Sequence, residues 1–255
     1  MSNIKILGVK IDLVTKNNAL EIIGNFLHSP KSNFIFTPNP EMLVDAQGDE
    51  YFKKVLNHGD LNICDGFGLK LVVPKLKRIT GTDFMLEICE MAEKEKKSIY
   101  LLGTRSQSVL EKTKANLLKK FPNLNIVGAD SGYTITLAPS EQGSILMYNQ
   151  VNRDECLDRI IMAAPDILFV AFGHNKQEKW IVENVPNLPR VKIAMGVGGA
   201  FDYLSGKIKR APKLLRIIGL EWLWRLFIEP KRIKRIIKAT TLFPLFVLLK
   251  GKNEN

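Results

Sequence analysis

The chain predicts an α/β fold built on a mainly parallel, Rossmann-like sheet flanked by helices, and three observations carry that prediction. Six short apolar runs recur: 33–37, 61–65, 98–102, 124–127, 166–171 and 191–195. Each ends in Gly, Pro or a small polar residue, and each gives way to a helical period. Parallel neighbours need a crossover, usually a helix, so strands alternating with helices imply a sheet covered on both faces.

The elements follow in order. Residues 4–14 alternate apolar and polar around Gly8, as an N-terminal β-hairpin does, and Thr15 is placed to cap a helix reaching Leu27. The six strand-and-helix units come next. The composition breaks near Ser205 and Gly206, which divides the chain into an α/β core, 1–206, and a helical basic appendage, 207–255. The appendage holds 13 Lys and Arg against 3 Asp and Glu, ten of the eleven net positive charges of the chain. Lys231, Lys234, Arg235 and Lys238 fall at i, i+3, i+4 and i+7, one helical face, with Ile233, Ile236 and Ile237 on another. A basic face beside an apolar one suits a negatively charged, partly greasy surface, an anionic membrane, and nucleic acid has no use for the apolar side.

Length and composition exclude several classes. At 255 residues and 45% hydrophobic content the chain is long enough to bury a sizeable core. Cys64, Cys89 and Cys156 lie far apart without ligand spacing, so neither a zinc site nor a disulfide framework is expected. The first residues lack the apolar stretch and cleavage site of a secretory signal, which suits a protein kept in the cytoplasm. The longest apolar run, 241–249, is under half of the roughly 20 residues a spanning helix needs, and Pro244 interrupts it; it is expected to lie in a membrane surface without crossing.

Open parallel sheets bind ligands beyond the carboxyl ends of their strands, which directs attention to five loops, 37–41, 65–66, 103–105, 173–177 and 196–199, and to the separate turn at 78–83. Asp65 closes an apolar strand before Gly66, where its carboxylate either serves as a general base for an attacking hydroxyl or caps the next helix. Thr37, Pro38, Asn39 and Pro40 form a stiff connection presenting a hydroxyl and an amide, or else a plain turn with Pro40 opening a helix. Arg78 and Asp83 bracket a Gly turn, as a diphosphate clamp or a surface ion pair. Gly103 and the Gly196–Gly199 run, with Gly198 and Gly199, lead into helices whose free N–H groups suit phosphate, though Gly after a strand is first a turn residue. Lys176 and Gln177 follow a fully apolar strand and either address a nucleotide or sugar or begin a solvated helix; His174 is a lone histidine.

Taken together, the stretches 37–41 (TPNPE), 65–68 (DGFG), 78–83 (RITGTD), 176–180 (KQEKW), 196–202 (GVGGAFD), 209–212 (KRAP) and 219–225 (GLEWLWR) resemble the WecG/TagA/CpsF glycosyltransferases, in the right order over most of the chain. The resemblance implies a metal-independent, inverting transferase without a cofactor. It moves an N-acetylhexosamine, often N-acetylmannosamine, from UDP to a polyprenyl-diphosphate-linked N-acetylglucosamine at the cytoplasmic face of the membrane. It gives the role of base to Asp65, with Thr37 beside it, and implicates Arg78 and Gln177. Substrate contacts are expected from Asn39, Gly66, Asp83, Gly103, Lys176, Gly198, Gly199 and Asp202. Arginines of the appendage, here Arg210, Arg216, Arg225 and Arg232, are expected to complete the site and face the lipid diphosphate. Two departures stand out: residues 131–165 are longer than the family pattern, and 240–249 are more apolar.

The other readings are a UDP-sugar transferase with a different donor, a nucleotide-binding oxidoreductase, and a non-enzymatic basic binding protein. Against the oxidoreductase stands the absence of a complete GxGxxG followed by an acidic residue about 20 positions on. The pattern leaves a homo-oligomer open.

Overall fold

The computed structural model describes residues 1–250 and 252–254. Strands β1 (Asn3–Ile6) and β2 (Val9–Asp12) form the expected antiparallel hairpin, turning at Leu7 and Gly8, both at positive φ. Thr15 caps α1 (Lys16–Leu27) by accepting a hydrogen bond from the Asn18 N–H. Along the chain follow β3 (Asn33–Phe36), α2 (Pro40–Asp45), α3 (Glu50–Asn57), β4 (Leu61–Asn62), α4 (Phe67–Val72), α5 (Gly81–Lys94), β5 (Ser98–Gly103), α6 (Gln107–Lys120) and β6 (Asn125–Asp130). A second hairpin, β7 (Thr136–Ser140) and β8 (Gly143–Met147), leads to α7 (Gln150–Ala163), β9 (Ile167–Ala171), α8 (Lys176–Asn184), β10 (Ile193–Gly196) and α9 (Ala200–Leu204).

Six strands, one from each apolar run, make one parallel sheet in the order β4-β3-β10-β9-β5-β6. The two-residue period of a strand sorts the side chains onto two faces. Ile35, Ile99, Leu101, Ile167, Phe169, Ile193 and Met195 pack on one side with α1, α5 and α6. Phe34, Phe36, Tyr100, Leu102, Leu168, Val170 and Ala194 pack on the other, against α7, α8 and the second hairpin. A third cluster fills the space between the N-terminal hairpin, α2, α3 and α4.

The hairpin within the long 131–165 region is a feature that the sequence pattern did not announce. It is held from beneath by Lys179, which is fully buried and donates to Asp49 Oδ2 at 2.8 Å and to the Ser144 carbonyl and hydroxyl at 2.6 and 2.7 Å. Asp49 in turn caps α3 through the Phe52 N–H, and its carboxyl is held below the usual range: the Lys179 ammonium and the Ser144 hydroxyl outweigh its burial.

The basic segment is helical and lies on the core. It comprises α10 (Lys213–Ile217), α11 (Glu221–Ile228), α12 (Ile233–Ile237) and α13 (Phe243–Lys250), and a short strand, β11 (Lys252–Glu254), adds to the edge of β1. A π-turn at Lys238–Leu242 joins α12 to α13, so Pro244 does not end the helix as its position in the apolar run suggested. Pro244 is the second residue of α13, directly after the π-turn, and a first-turn position tolerates the missing N–H. Two of the four cations assigned from sequence to one outward face point inward instead: Arg235 Nε reaches Glu41 at 2.7 and 2.9 Å, and Lys238 Nζ reaches Asp45 at 2.6 Å. Both carboxylates sit on α2, so charge pairing with the core overrides the face that the helical period assigned. No helix among the described residues is long and apolar enough to cross a membrane.

Phe243 is the anchor of this packing. It is buried in the third cluster with Met42, Leu69 and Val73, and Leu242, Phe246 and Val247 pack around it. Phe243→Ala is expected to cost about 3–5 kcal/mol. At about 2–4 °C per kcal/mol for a chain of this size, a thermal melt should show Tm lower by roughly 10 °C. An unchanged Tm would mean that the helix is not seated on the core.

Candidate functional site

Asp65 lies where β4 runs out. Its N–H donates to the Pro38 carbonyl at 3.1 Å, which ties it to the loop after β3. Gly81, the first residue of α5, closes over the carboxylate and donates its N–H to Asp65 Oδ2 at 3.2 Å. A Cβ at Gly81 would stand 3.3 Å from both Asp65 Oδ2 and Thr37 Cγ2, so Thr37 and Asp65 flank the same helix start. Asp65 does not cap the helix that follows it, since Gly66 occupies the N-cap of α4 and supplies no side chain.

Burial pushes the Asp65 carboxyl up to about 6, more strongly than the Gly81 N–H and the charges of Arg78 and Arg210 pull it down, while Glu221 adds to the rise. A carboxylate with that affinity is ionised near neutrality yet takes a proton far more readily than a solvated one.

Around this carboxylate the appendage brings in a nest of arginines. Arg78 donates through Nη1 to the Arg216 carbonyl at 2.7 Å and through Nη2 to Glu221 at 3.3 Å. Arg210 forks onto Asp83 with contacts of 2.5 and 2.9 Å, and the Arg210 and Arg225 guanidinium groups lie 6.0 and 4.9 Å from the Tyr203 ring centre. Arg225 and Arg232 share Glu229 at 3.0 and 3.2 Å. Arg78 therefore spends its fork on the appendage, and Asp83 spends its carboxylate on Arg210; the clamp and ion-pair readings of this turn meet in one network. The Nε atoms of Arg78 and Arg216 are buried with no hydrogen-bond acceptor among the described residues, whereas Arg210 Nε faces Glu221 Oε1 at 3.6 Å. A buried guanidinium donor without a partner is costly, so the Arg78 and Arg216 donors are groups that an anion could satisfy.

The glycine loop after β10 leans on the same cluster. Gln177, buried on α8, donates to Glu178 Oε1 at 2.8 Å and accepts the Gly198 N–H at 3.0 Å. A Cβ at Gly199 would stand 2.8 Å from Arg225 Nη2. Gln177 is thus a brace that fixes the Gly196–Gly199 turn against Arg225. Asp202 turns away to Lys207 at 3.0 Å. Asn39 caps α2 by accepting the Met42 N–H at 3.1 Å, with Pro40 opening the helix. Gly66 is required by contact: a Cβ there would stand 2.6 Å from Pro40 Cδ.

Gly103 and Lys176 belong to a second group. Gly103, at φ +115°, passes so close to β9 that a Cβ would meet the Ala171 backbone at 2.7 Å. Lys176 donates to the Ile135 carbonyl at 3.0 Å, and burial and the nearby Arg105 charge lower its proton affinity. Beyond the ends of β5 and β6 lies a cavity of about 420 Å³ lined by Arg105, Gly132, Tyr133, Thr134, Asn152 and Arg159, among others.

Sequence reasoning missed Glu221 and Glu229, which organise the arginines, Tyr203 beneath them, and Glu178, which orients Gln177. The GLEWLWR stretch contained Glu221, but nothing in it showed that its partner would be Arg78. Among the described residues, Glu41, Asp45 and His174 are placed to share a cation, with ligand atoms within 4.8 Å of one another. Arg235 and Lys238 already engage both carboxylates, and His174 Nε2 lies 2.8 Å from Asp45.

A strand-end carboxylate tuned toward neutrality, beside buried guanidinium donors on a parallel sheet, is the arrangement of an α/β transferase. The chain belongs to the glycosyl transferase WecG/TagA/CpsF family, whose model matches residues 4–255. Among similar proteins are two named N-acetylglucosaminyldiphosphoundecaprenol N-acetyl-beta-D-mannosaminyltransferase from Bacillus. That of Bacillus subtilis (strain 168) is 33% identical over 86% of this chain and 80% of its own; that of Bacillus spizizenii is 30% identical over 83% and 77%. A Staphylococcus aureus (strain MRSA252) protein of the same name is 29% identical over 99% of this chain and 94% of its own.

Proposed function

We propose that this glycosyltransferase moves N-acetylmannosamine to N-acetylglucosamine carried on undecaprenyl diphosphate, the transfer named for its relatives, and that the donor is the UDP sugar. The observation that carries the reading is a buried carboxyl, Asp65, within the field of Arg78 and Arg210, with the Nε donors of Arg78 and of the neighbouring Arg216 unpartnered. Asp65 accepts the proton of the acceptor hydroxyl as it attacks the anomeric carbon on the face opposite UDP, which inverts the configuration. Charge growing on the departing diphosphate is met by guanidinium groups in a site largely closed to water, where they act strongly without a metal. Thr37, which flanks the start of α5 with Asp65, orients the acceptor.

The lipid end of the acceptor places this chemistry at a membrane surface. Exposed Phe227, Ile228, Ile233 and Ile237, with Lys231 and Lys234, give the appendage the apolar and cationic groups for that contact. The test is a transfer assay with a short-chain lipid-diphosphate N-acetylglucosamine acceptor, a panel of UDP sugars and a chelator. Transfer of N-acetylmannosamine in preference to the others, undiminished by the chelator, is expected. Preference for another sugar overturns the donor, and dependence on added metal overturns the arginine mechanism.

A further inference from the structure

The stretch between Asp65 and Arg78 has an unusual surface for a segment so near a reaction centre. Its inward side chains, Leu69, Val73 and Leu76, are fully buried in the third cluster. Its outward ones are Lys70, Leu71, Pro74 and Lys77, all exposed, and Leu71 is 68% exposed on a helix of only six residues. Lysines around an exposed Leu suit a lipid headgroup boundary, where the cations meet phosphates and the apolar side chain meets acyl chains.

The neighbours of α4 carry the same character. On one side, Phe67 lies against Gly219, and Arg78 holds the Arg216 carbonyl, which seats α10 with its exposed Leu214 and Ile218. On the other, Gly68 approaches Phe243, which seats α13 with its exposed Leu245 and Leu248. The core segment therefore lies between two parts of the appendage that each present apolar side chains outward.

We infer that residues 70–77 are a second membrane contact, carried by the core itself, which lays the segment joining Asp65 to Arg78 on an anionic leaflet. This rests on the reading that the enzyme works on a lipid-linked acceptor. Charge complementarity favours an anionic bilayer as the occupant, since Lys70 and Lys77 flank Leu71 and Pro74 with no acidic residue in the stretch. The placement suits the chemistry as well. Asp65 and Leu71 are separated by two extended steps of about 3.8 Å and four helical rises of about 1.5 Å, hence by no more than about 14 Å. The base is thereby held within reach of a sugar whose lipid anchor stays in the leaflet.

The test is flotation of the full chain with vesicles of phosphatidylglycerol and phosphatidylcholine in equal parts, for the parent and for a variant combining Lys70→Glu, Leu71→Ser and Lys77→Glu. Each basic residue near an anionic leaflet is worth roughly fivefold in partition, so the variant is expected to bind at least tenfold more weakly. It should melt like the parent and keep parental turnover on a water-soluble short-chain acceptor. A second variant, Lys70→Arg with Lys77→Arg, is expected to float like the parent. A triple variant that floats normally overturns the contact, and one that floats normally yet loses self-association in solution assigns the patch to a second copy of the chain. A parent chain that fails to float overturns this contact and the membrane reading together, whereas absence of transfer by a chain that floats overturns the proposed reaction alone.

Discussion

Asp65→Asn is expected to lower transfer by on the order of a hundred- to ten-thousand-fold while making the protein more stable. Both effects come from one carboxyl. With its affinity for a proton raised to about 6, the folded state holds the ionised form at a cost that an unfolded chain does not bear. The sign follows: the raised value favours folding at low pH, and that contribution is lost as pH climbs from about 4 through 6. Above that window the ionised Asp65 costs the fold on the order of 1–2 kcal/mol, allowing for its partial exposure. Asparagine keeps the shape, can still accept the Gly81 N–H and carries no charge, so Tm at pH 7.5 should rise by a few degrees. In the parent, kcat/KM should fall as pH drops through about 6, because the base is then protonated. A variant with near-parental turnover, or an acid limb near 4, would remove Asp65 from the role of base.

The second large effect is expected at Arg210. Its fork onto Asp83 ties the appendage to α5, its Nε faces Glu221 at 3.6 Å, and its charge acts on Asp65. Arg210→Lys preserves the charge, but one ammonium nitrogen cannot span both Asp83 oxygens as the planar fork does while also reaching Glu221. It should lose on the order of a hundredfold in kcat/KM, with one well-placed anion contact worth about 2.7–4 kcal/mol. Arg210→Ala should lose more and also destabilise, since Asp83 is left half-buried without its partner. That burial would then push the Asp83 carboxyl up, where Arg210 now holds it down. Steady-state kinetics beside a thermal melt separate the two effects. Kinetics unchanged in Arg210→Lys would mean that charge alone, without the fork, suffices.

The fold was readable because its signal is local. The inner strands of the sheet, β3, β10, β9 and β5, are short, mainly apolar runs, as burial on both faces demands, and the run itself marks where a ligand-facing residue must stand. That is how Asp65 and Thr37 were reachable. The β7–β8 hairpin was not, because its strands are largely exposed, one contains Pro139, and the contacts that hold it come from Asp49 and Lys179, 95 and 35 residues away from Ser144. The arginine nest was legible only in part. Sequence placed cations near the site through the family resemblance, but Arg78 meets Glu221 across 143 residues and Arg210 meets Asp83 across 127, and no local pattern encodes such a pairing. The same holds for Arg235 and Lys238, where helical periodicity foretold a shared outward face and α2 supplied the acids that turned them inward.

The order of the strands bears on how the enzyme is made. The first strand of the parallel sheet, β3, finds its inner neighbour in the last, β10, so the centre of the sheet stays open until residues 193–196 have left the ribosome. Domains rich in such distant pairings fold slowly, because loop-closure entropy must be overcome before any contact repays it. The half carrying Asp65 and Thr37 has no partner at its exposed inner edge during that interval, and unpaired edges invite aggregation. Nascent chains stalled before β10 should therefore be sensitive to protease and dependent on chaperones. The reaction centre, shared between the first strands, the last and the helices beyond, comes into being as the final event of synthesis.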